Sequence, residues 1–310
     1  MMEPSTTVLG IDGGGTNTRA VIARGSKILA RAKSGSIKRL RVGPEAAEAN
    51  LRALLRDVLD RSGAAEINAV SAGVASASLP GIHEWITAVF HDFGIRRSEV
   101  VGDEVIALDA AFHGGPGILQ IAGTGSNCIG RAPSGARESA GGYSSTLGDQ
   151  GSGYWIGLHA IRQALHAYDQ APPGQPIAVL HAVGEAWGAG TLEELVNRGN
   201  EVPGPDFSAL APIINSLAEQ SDPVALKILH QASADLAEFI LLVRQKLRTR
   251  HNLQEEVPAA FTGSVLEKMP IVRNRLTELL TQSAPDMPFQ QQAVVAVDGA
   301  IYRAHRLATR

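Results

Sequence analysis

Two short glycine-rich loops, about 110 residues apart, follow one template in this chain. The first spans Ile11–Asn17 and the second Ile121–Asn127, and each follows apolar residues and ends in a hydroxyl residue plus Asn. Glycines at such a turn bring backbone N–H groups close to an anion, because no Cβ blocks the approach. One such loop is a weak signal. Two of the same type predict a duplicated domain with two phosphate-binding loops for one nucleotide.

Length and composition limit the class of protein. The 310 residues are enough for two domains, and 44% apolar with 19% charged residues is ordinary for a globular chain. A net charge of −3 predicts no general attraction to nucleic acid or to an anionic membrane. The lone Cys128 excludes an intrachain disulfide and a cysteine-rich zinc site. With no signal-peptide pattern and no long apolar run, we expect a cytoplasmic protein without a membrane span.

The order of predicted elements indicates an α/β fold. Short strands are expected at 7–12, 19–24 and 27–33, and helices and strands then alternate up to a glycine- and proline-rich break at 113–117. We therefore expect an N-terminal domain over 1–115, joined by a C-terminal helix over 291–310. A larger domain with a helical insertion is expected over 116–290.

The first glycine loop is the most specific chemical signal. Asp12 ends a predicted strand, where a carboxylate can hold Mg²⁺ through water. The amides of Gly13, Gly14 and Gly15 and the hydroxyl of Thr16 can contact phosphate oxygens. The loop lacks the Gly-Lys-Ser/Thr ending of a Walker loop. A plain hairpin turn is the alternative, because Asp-Gly is a strong hairpin signal.

The second loop makes the first more informative. Ala122 stands where the first loop has its acidic residue, so this loop offers only neutral donors. This asymmetry fits one metal–nucleotide held by both loops better than it fits two independent turns.

Asp103 lies between a predicted strand and a predicted helix, directly after Gly102. An acidic helix N-cap is the common structural explanation. The functional interpretation is a general base that takes a proton from an acceptor hydroxyl during phosphoryl transfer. The carboxyl end of a strand in an open α/β sheet is where ligands bind, which favours the second interpretation.

Two further segments are rich in small residues. In the stretch 141–155, Asp149 and Gln150 can bind sugar hydroxyl groups, although a helix cap with a flexible approach is the simpler explanation. The turn Gly263–Val265 can let an adenine ring lie flat on the backbone, or it is an ordinary strand–helix joint.

Together these residues resemble the actin/hexokinase/heat-shock-chaperone ATPase superfamily, and more closely the BadF/BadG/BcrA/BcrD ATPase family, which includes N-acetylglucosamine kinases. The resemblance spans nearly the whole chain in family order. The segments that carry it are Gly10–Asn17, Gly102–Asp103, Ile121–Asn127, Leu147–Ile156 and Thr262–Val265.

This resemblance implies a duplicated ribonuclease-H-like fold with ATP in the cleft between the domains, and a homodimer. It implies Asp103 as the catalytic base and Asp12 as the residue facing Mg²⁺. The residues that it implies for ATP and its metal are Asp12, Gly13, Gly14, Gly15, Thr16, Thr124, Gly125 and Gly263. Those that it implies for the sugar are Asn127, Gly142 and Asp149.

The chain departs from the family pattern at three places. Ser144-Ser145 replaces Gly-His, Gln150 replaces Glu, and Lys38 replaces an Asn. With Arg39 and Arg41 nearby, Lys38 makes its loop basic. A solvated loop face explains these charges most simply, and a substrate with an acidic substituent is the sharper hypothesis.

Three functions are compatible with these patterns. The leading one is an ATP-dependent sugar kinase that phosphorylates an amino sugar such as N-acetylglucosamine or glucosamine. The first rival is an activator ATPase for an electron-transfer enzyme, which needs paired cysteines for an iron–sulfur cluster and is disfavoured by the single Cys128. The second rival is a sugar or nucleotide sensor that keeps the fold without catalysis.

Overall fold

The computed structural model describes residues 6–309. They form two compact units, and each is built around its own sheet. One unit contains the residues up to Gly117 together with those from Val294 onward, and the other contains Ile118–Ala293. The predicted α/β class is confirmed.

The first unit alternates strands and helices after an initial meander. Its elements up to the break are β1 (Thr7–Gly13), β2 (Asn17–Arg24), β3 (Lys27–Gly35), α1 (Arg39–Val42), α2 (Pro44–Ser62), β4 (Ala69–Val74), α3 (Ile82–Asp92), β5 (Ser98–Val101) and α4 (Asp103–Phe112). Helix α2 shows how the sequence sets such bounds. Pro44 suits the first turn, where no N–H partner is needed, and Gly63 ends the helix at φ 58°.

The five strands of the first unit lie in the order β3-β2-β1-β4-β5. Strands β1, β2 and β3 are antiparallel, whereas β4 and β5 run parallel to β1. β1 is central, and its apolar residues Leu9 and Ile11 are fully buried. The register pairs Asp12 with Arg19 on β2 and with Gly73 on β4, which places the carboxylate at the end of the central strand.

The second unit has a smaller sheet and more helices. Its elements are β6 (Gly117–Ala122), β7 (Ser126–Arg131), β8 (Arg137–Gly141), α5 (Ser144–Leu147), α6 (Gly153–Gln170), α7 (Ala178–Trp187), α8 (Leu192–Gly199), a 3₁₀ helix (Phe207–Leu210), α9 (Ala211–Glu219), α10 (Pro223–Arg250), β9 (Ala259–Thr262), α11 (Ser264–Lys268) and α12 (Pro270–Ser283). The strand order is β8-β7-β6-β9, with β9 parallel to β6. The apolar stripe of α10 is buried against this unit's core.

The last helix, α13 (Ala296–Ala308), belongs to the first unit and packs against α4 and β1. A Cβ on Gly299 would come within 1.8 Å of the Ile106 carbonyl oxygen, so only glycine permits this approach. Arg303 bonds both Glu99 on β5 and Asp109 on α4, at 2.7 Å to each. Helix α13 therefore fixes the position of α4, the helix that begins at Asp103.

The secondary structure predicted from the sequence needs correction at two points. The final helix begins at Ala296 rather than 291, because the Gln290 amide still bonds the Ala259 carbonyl 2.9 Å away and keeps that stretch extended. Strand β8 and the short helices α1, α5 and α11 were not predicted, since four or five residues are too few to show a period. Within the described residues, no helix is both long and apolar enough to span a bilayer.

Candidate active site

The first glycine loop joins β1 to β2. Gly13 is the last residue of β1, and a Cβ there would lie 2.8 Å from Cδ1 of Ile37. Gly15 faces open space and Thr16 is exposed, so the loop presents its backbone and a hydroxyl group to solvent. The half-buried Asp12 lies directly before it. Gly14, Gly15 and Thr16 therefore reach the surface beside a carboxylate, whereas Gly13 is buried.

Asp103 is the first residue of α4 and is partly buried. Gly102, not Asp103, holds the N-cap position, although the Asp103 Oδ1 accepts a 3.1 Å bond from the Glu104 amide. Burial, then the negative charges of Glu104 and Asp12, raise the pKa of Asp103 to about 7. The effect of Asp12 on this pKa places the two predicted acidic residues in one electrostatic environment. A carboxyl group that titrates near neutral pH can exchange a proton during catalysis.

The second glycine loop joins β6 to β7 and is braced from within its own unit. The Gly123 amide bonds the Gly125 carbonyl at 2.9 Å. At the start of α6, the amides of Gly153 and Tyr154 donate to the carbonyls of Gly123 and Thr124 at 2.8 and 3.2 Å. The helix terminus thus uses two of its N–H groups to fix the loop.

The three predicted sugar residues surround this second loop. Asn127 lies opposite Gly141 in the sheet, and a Cβ on Gly142 would lie 3.0 Å from the Asn127 Cγ. Asp149 has φ 58° and is only 9% exposed, and its Oδ2 would be 2.8 Å from a Cβ on Gly125. The structure therefore brings Asn127, Gly142 and Asp149 together around one loop.

Two features of these residues indicate a ligand. The Oδ1 atom of Asn127 is buried without a hydrogen-bond partner among residues 6–309. Such an acceptor is costly unless a ligand or water supplies a donor. A non-glycine residue at positive φ is also uncommon, and Asp149 is held in that conformation beside the loop. Both features are consistent with binding a polyhydroxylated molecule.

Gly263 directly precedes Ser264 and Val265, two residues that line a cavity of about 260 Å³ beside the second loop. It has φ 102°, and a Cβ there would lie 2.4 Å from the Ala122 carbonyl oxygen, so the position requires glycine. The cavity is lined by Gly123, Thr124, Gly153, Ser208, Ala211, Pro212, Asn215, Ser264, Val265, Lys268 and Met269.

Sequence reasoning missed part of that cavity. Ser208, Asn215 and Lys268 come from the 3₁₀ helix, α9 and α11, and none of them lies in a motif. Only the packing of those elements places these residues beside Thr124, so no sequence signal could have found them.

Two of the three departures from the family pattern border a second cavity. This space of about 590 Å³ lies between α5, α6 and α8, and its wall includes Ser145 and Gln150. The rings of Trp155 and His159 stack 4.1 Å apart on the α6 side. The segment that carries Asp149 thus borders a large cavity with a partly aromatic wall.

No cluster of three or more His, Cys, Asp or Glu residues that could hold a metal occurs in the part of the chain that the structure describes. Cys128 is fully buried, and burial raises the pKa of its thiol. It therefore offers no exposed thiolate for an iron–sulfur cluster. A divalent ion with one protein carboxylate, nucleotide phosphates and water remains compatible with Asp12.

Residues 9–301 match the sequence pattern of the BadF/BadG/BcrA/BcrD ATPase family. The chain belongs to this family. It is 27% identical over 284 residues to an N-acetylmuramic acid/N-acetylglucosamine kinase of Clostridium acetobutylicum, covering 90% of this chain and 91% of the relative. It is 28% identical over 243 residues to glucosamine kinase GspK of Vibrio cholerae, covering 77% and 80%.

A crystal structure from Chromobacterium violaceum, provisionally named an N-acetylglucosamine kinase, has a similar fold. The TM-score is 0.73 at 26% identity, covering 99% of this chain and all of the other. Both glycine loops and both acidic residues of this BadF/BadG/BcrA/BcrD-type chain lie in the strands, turns and helix predicted for them. The resemblance drawn from the sequence is therefore confirmed.

Proposed function

We propose that the protein is an ATP-dependent kinase of an amino sugar such as N-acetylglucosamine or glucosamine. The observation that carries this proposal is the pair Asp12 and Asp103: one carboxylate adjoins the exposed glycine loop, and the other titrates near neutral pH. The names of relatives at 27% and 28% identity support the same substrate class.

The nucleotide is proposed to contact both glycine loops. Gly13, Gly14, Gly15 and Thr16 supply amides and a hydroxyl to its phosphates, as do Thr124 and Gly125. Gly263 directly precedes Ser264 on the wall of the 260 Å³ cavity, where the adenosine moiety is proposed to bind. Asp12 would hold Mg²⁺ through water, and the bound metal would neutralise charge on the phosphates.

The sugar is proposed to contact Asn127, Gly142 and Asp149, where the buried Asn127 Oδ1 can accept a hydrogen bond from a sugar hydroxyl group. Asp103 then takes the proton of the acceptor hydroxyl group while the oxygen of that hydroxyl forms a bond to the γ-phosphorus of ATP. The bond from that phosphorus to the β-phosphate oxygen breaks, and ADP leaves. A base with a pKa of about 7 is well matched to this transfer at neutral pH.

The test is Asp103→Asn, which keeps the shape of the side chain and removes the base. We expect kcat with N-acetylglucosamine to fall about 10²- to 10⁴-fold, the usual contribution of general-base catalysis. Binding of ATP, measured by calorimetry, should stay within about twofold. Asp60→Asn, at an exposed position of α2, is the control for charge removal. Normal turnover in Asp103→Asn would exclude this residue from the mechanism.

A panel of neutral, amino and acidic sugars separates this function from a silent sensor. A kinase transfers phosphate from ATP to at least one sugar, whereas a sensor binds ATP tightly and transfers none. A homodimer and a cytoplasmic location are also proposed, the first from the family resemblance and the second from the single cysteine. Light scattering at several concentrations tests the dimer.

A further inference from the structure

The segment from Gly25 to Pro44 is strongly basic although the whole chain carries a net charge of −3. It contains six basic residues and no acidic one: Lys27, Arg31, Lys33, Lys38, Arg39 and Arg41. The first three lie on β3, the edge strand, where basic side chains discourage pairing with other chains. The other three follow that strand and need a different explanation.

The residues after β3 are bound closely to the first glycine loop. Ile37 packs under Gly13, and the Ser36 hydroxyl donates to the Gly15 carbonyl at 3.0 Å. Asn50 on α2 fixes the segment from behind, since its Nδ2 donates to the Ser36 carbonyl at 2.8 Å. The backbone that carries α1 is therefore anchored to the glycine loop.

The two arginines of α1 have different surroundings. The guanidinium of Arg39 lies 3.9 Å from the centre of the Trp85 ring, which anchors α1 to α3. The side chain of Arg41 is exposed, and its Nη1 lies 3.4 Å from the Thr16 hydroxyl. Arg39 thus fixes the short helix, and Arg41 presents a cation beside the last polar group of the glycine loop.

We infer that Arg41 is a further catalytic residue, one that binds a non-bridging oxygen of the terminal phosphate of ATP and stabilises its charge during transfer. This inference rests on the proposed function, in which Thr16 contacts the phosphates. A guanidinium within reach of that hydroxyl adjoins the same oxygens. Its planar donor pair also suits a phosphoryl group better than an ammonium does.

The terminal phosphate distinguishes ATP from ADP, so comparing the two nucleotides isolates this contact. Binding of Mg–ATP and Mg–ADP is measured by calorimetry for the wild type, Arg41→Gln and Arg41→Lys. Arg31→Gln, which removes the same charge from β3, is the matched control. We expect Arg41→Gln to weaken ATP binding about tenfold with ADP unchanged, and to lower kcat about 10- to 10³-fold. Arg41→Lys should recover part of both losses, and Arg31→Gln should resemble the wild type.

Equal losses for ATP and ADP, or no loss for either, would overturn the inference. Arg41→Gln could instead bind ATP normally and lose activity only with an amino sugar that carries a carboxylate. That result would overturn the inference and indicate that Arg41 contacts the sugar. If the wild type phosphorylates no sugar in the panel, the proposed function fails while the ATP–ADP comparison still tests Arg41. Circular dichroism checks the fold, and Arg41→Lys provides the same comparison if Arg41→Gln is misfolded.

Discussion

The two glycine loops follow one sequence template but lie in different chemical surroundings. The first follows Asp12, with Arg41 beside its Thr16 and with Asp103 close enough for its pKa to respond to Asp12. The second follows the buried, neutral Ala122 and is braced by the first amides of α6. Charged side chains that can respond to a reacting phosphate therefore surround the first loop, whereas backbone hydrogen bonds fix the shape of the second.

The strongest test of this contrast removes the charge from the first loop and a hydroxyl from the second. Asp12→Asn should lower kcat about 10²- to 10³-fold and make nucleotide binding insensitive to Mg²⁺, because the carboxylate proposed to hold the metal is lost from the first loop. Thr124→Ala should lower kcat no more than about tenfold and keep the Mg²⁺ response. Steady-state kinetics and calorimetry across a Mg²⁺ series measure both effects. Equal losses in the two variants would contradict the division of roles.

A matched pair of glycine substitutions sharpens the contrast. A Cβ at Gly13 meets an Ile37 methyl at 2.8 Å, and a Cβ at Gly125 meets the Asp149 carboxylate at the same distance. Gly125→Ala should raise the sugar KM about 10- to 30-fold, because it displaces a proposed sugar contact. Gly13→Ala should instead lower the free energy of unfolding by about 1–2 kcal/mol, because it overpacks the core.

Gly204→Ala is the control for this pair, since its added Cβ would meet only the Glu201 carbonyl oxygen, at an ordinary 3.6 Å. Sugar kinetics and urea unfolding on all three variants decide the outcome. The comparison fails if Gly13→Ala changes the sugar KM as much as Gly125→Ala does.

Patterns of neighbouring residues in the sequence predicted some of the site, whereas residues brought together only by packing were missed. Asp103 was found because a strand, an acidic residue and a helix follow one another along the chain, and Gly263 because a small-residue turn follows a strand. Asn215 and Lys268 are brought to their cavity only by packing between helices far apart in sequence. Arg41 gave a charge signal, but its contact with Thr16 depends on how α1 docks, which no periodicity reports.

The raised pKa of Asp103 also predicts a cost in stability. The folded protein binds this proton more tightly than the unfolded chain, so ionisation opposes folding as pH rises from the usual 3.8 to about 7. Asp103→Asn removes that cost. In metal-free buffer it should be more stable than the wild type by about 1–2 kcal/mol at pH 8, a figure reduced for the partial exposure of the carboxyl group.

The difference between Asp103→Asn and the wild type should shrink as pH falls from 7 to 5. Urea unfolding at pH 5, 6, 7 and 8 measures it, with Asp60→Asn at an exposed position of α2 as the control. A difference that stays constant over this range would show that Asp103 is not the titrating group.

The smallest expected effects come from two buried serines, each of which ties a neighbouring segment to one loop. The Ser36 hydroxyl bonds Gly15 at 3.0 Å, and the Ser126 hydroxyl bonds the Gln150 carbonyl at 2.7 Å. Replacing either with Ala should lower the free energy of unfolding by about 1 kcal/mol, the usual value of such a bond. Their kinetic effects should differ, because Ser36 positions the Arg41 segment and Ser126 positions the residue after Asp149. We therefore expect Ser36→Ala to raise the ATP KM and Ser126→Ala to raise the sugar KM, each about two- to fivefold. The reverse assignment would mean that the loops do not divide nucleotide charge and sugar recognition as their surroundings indicate.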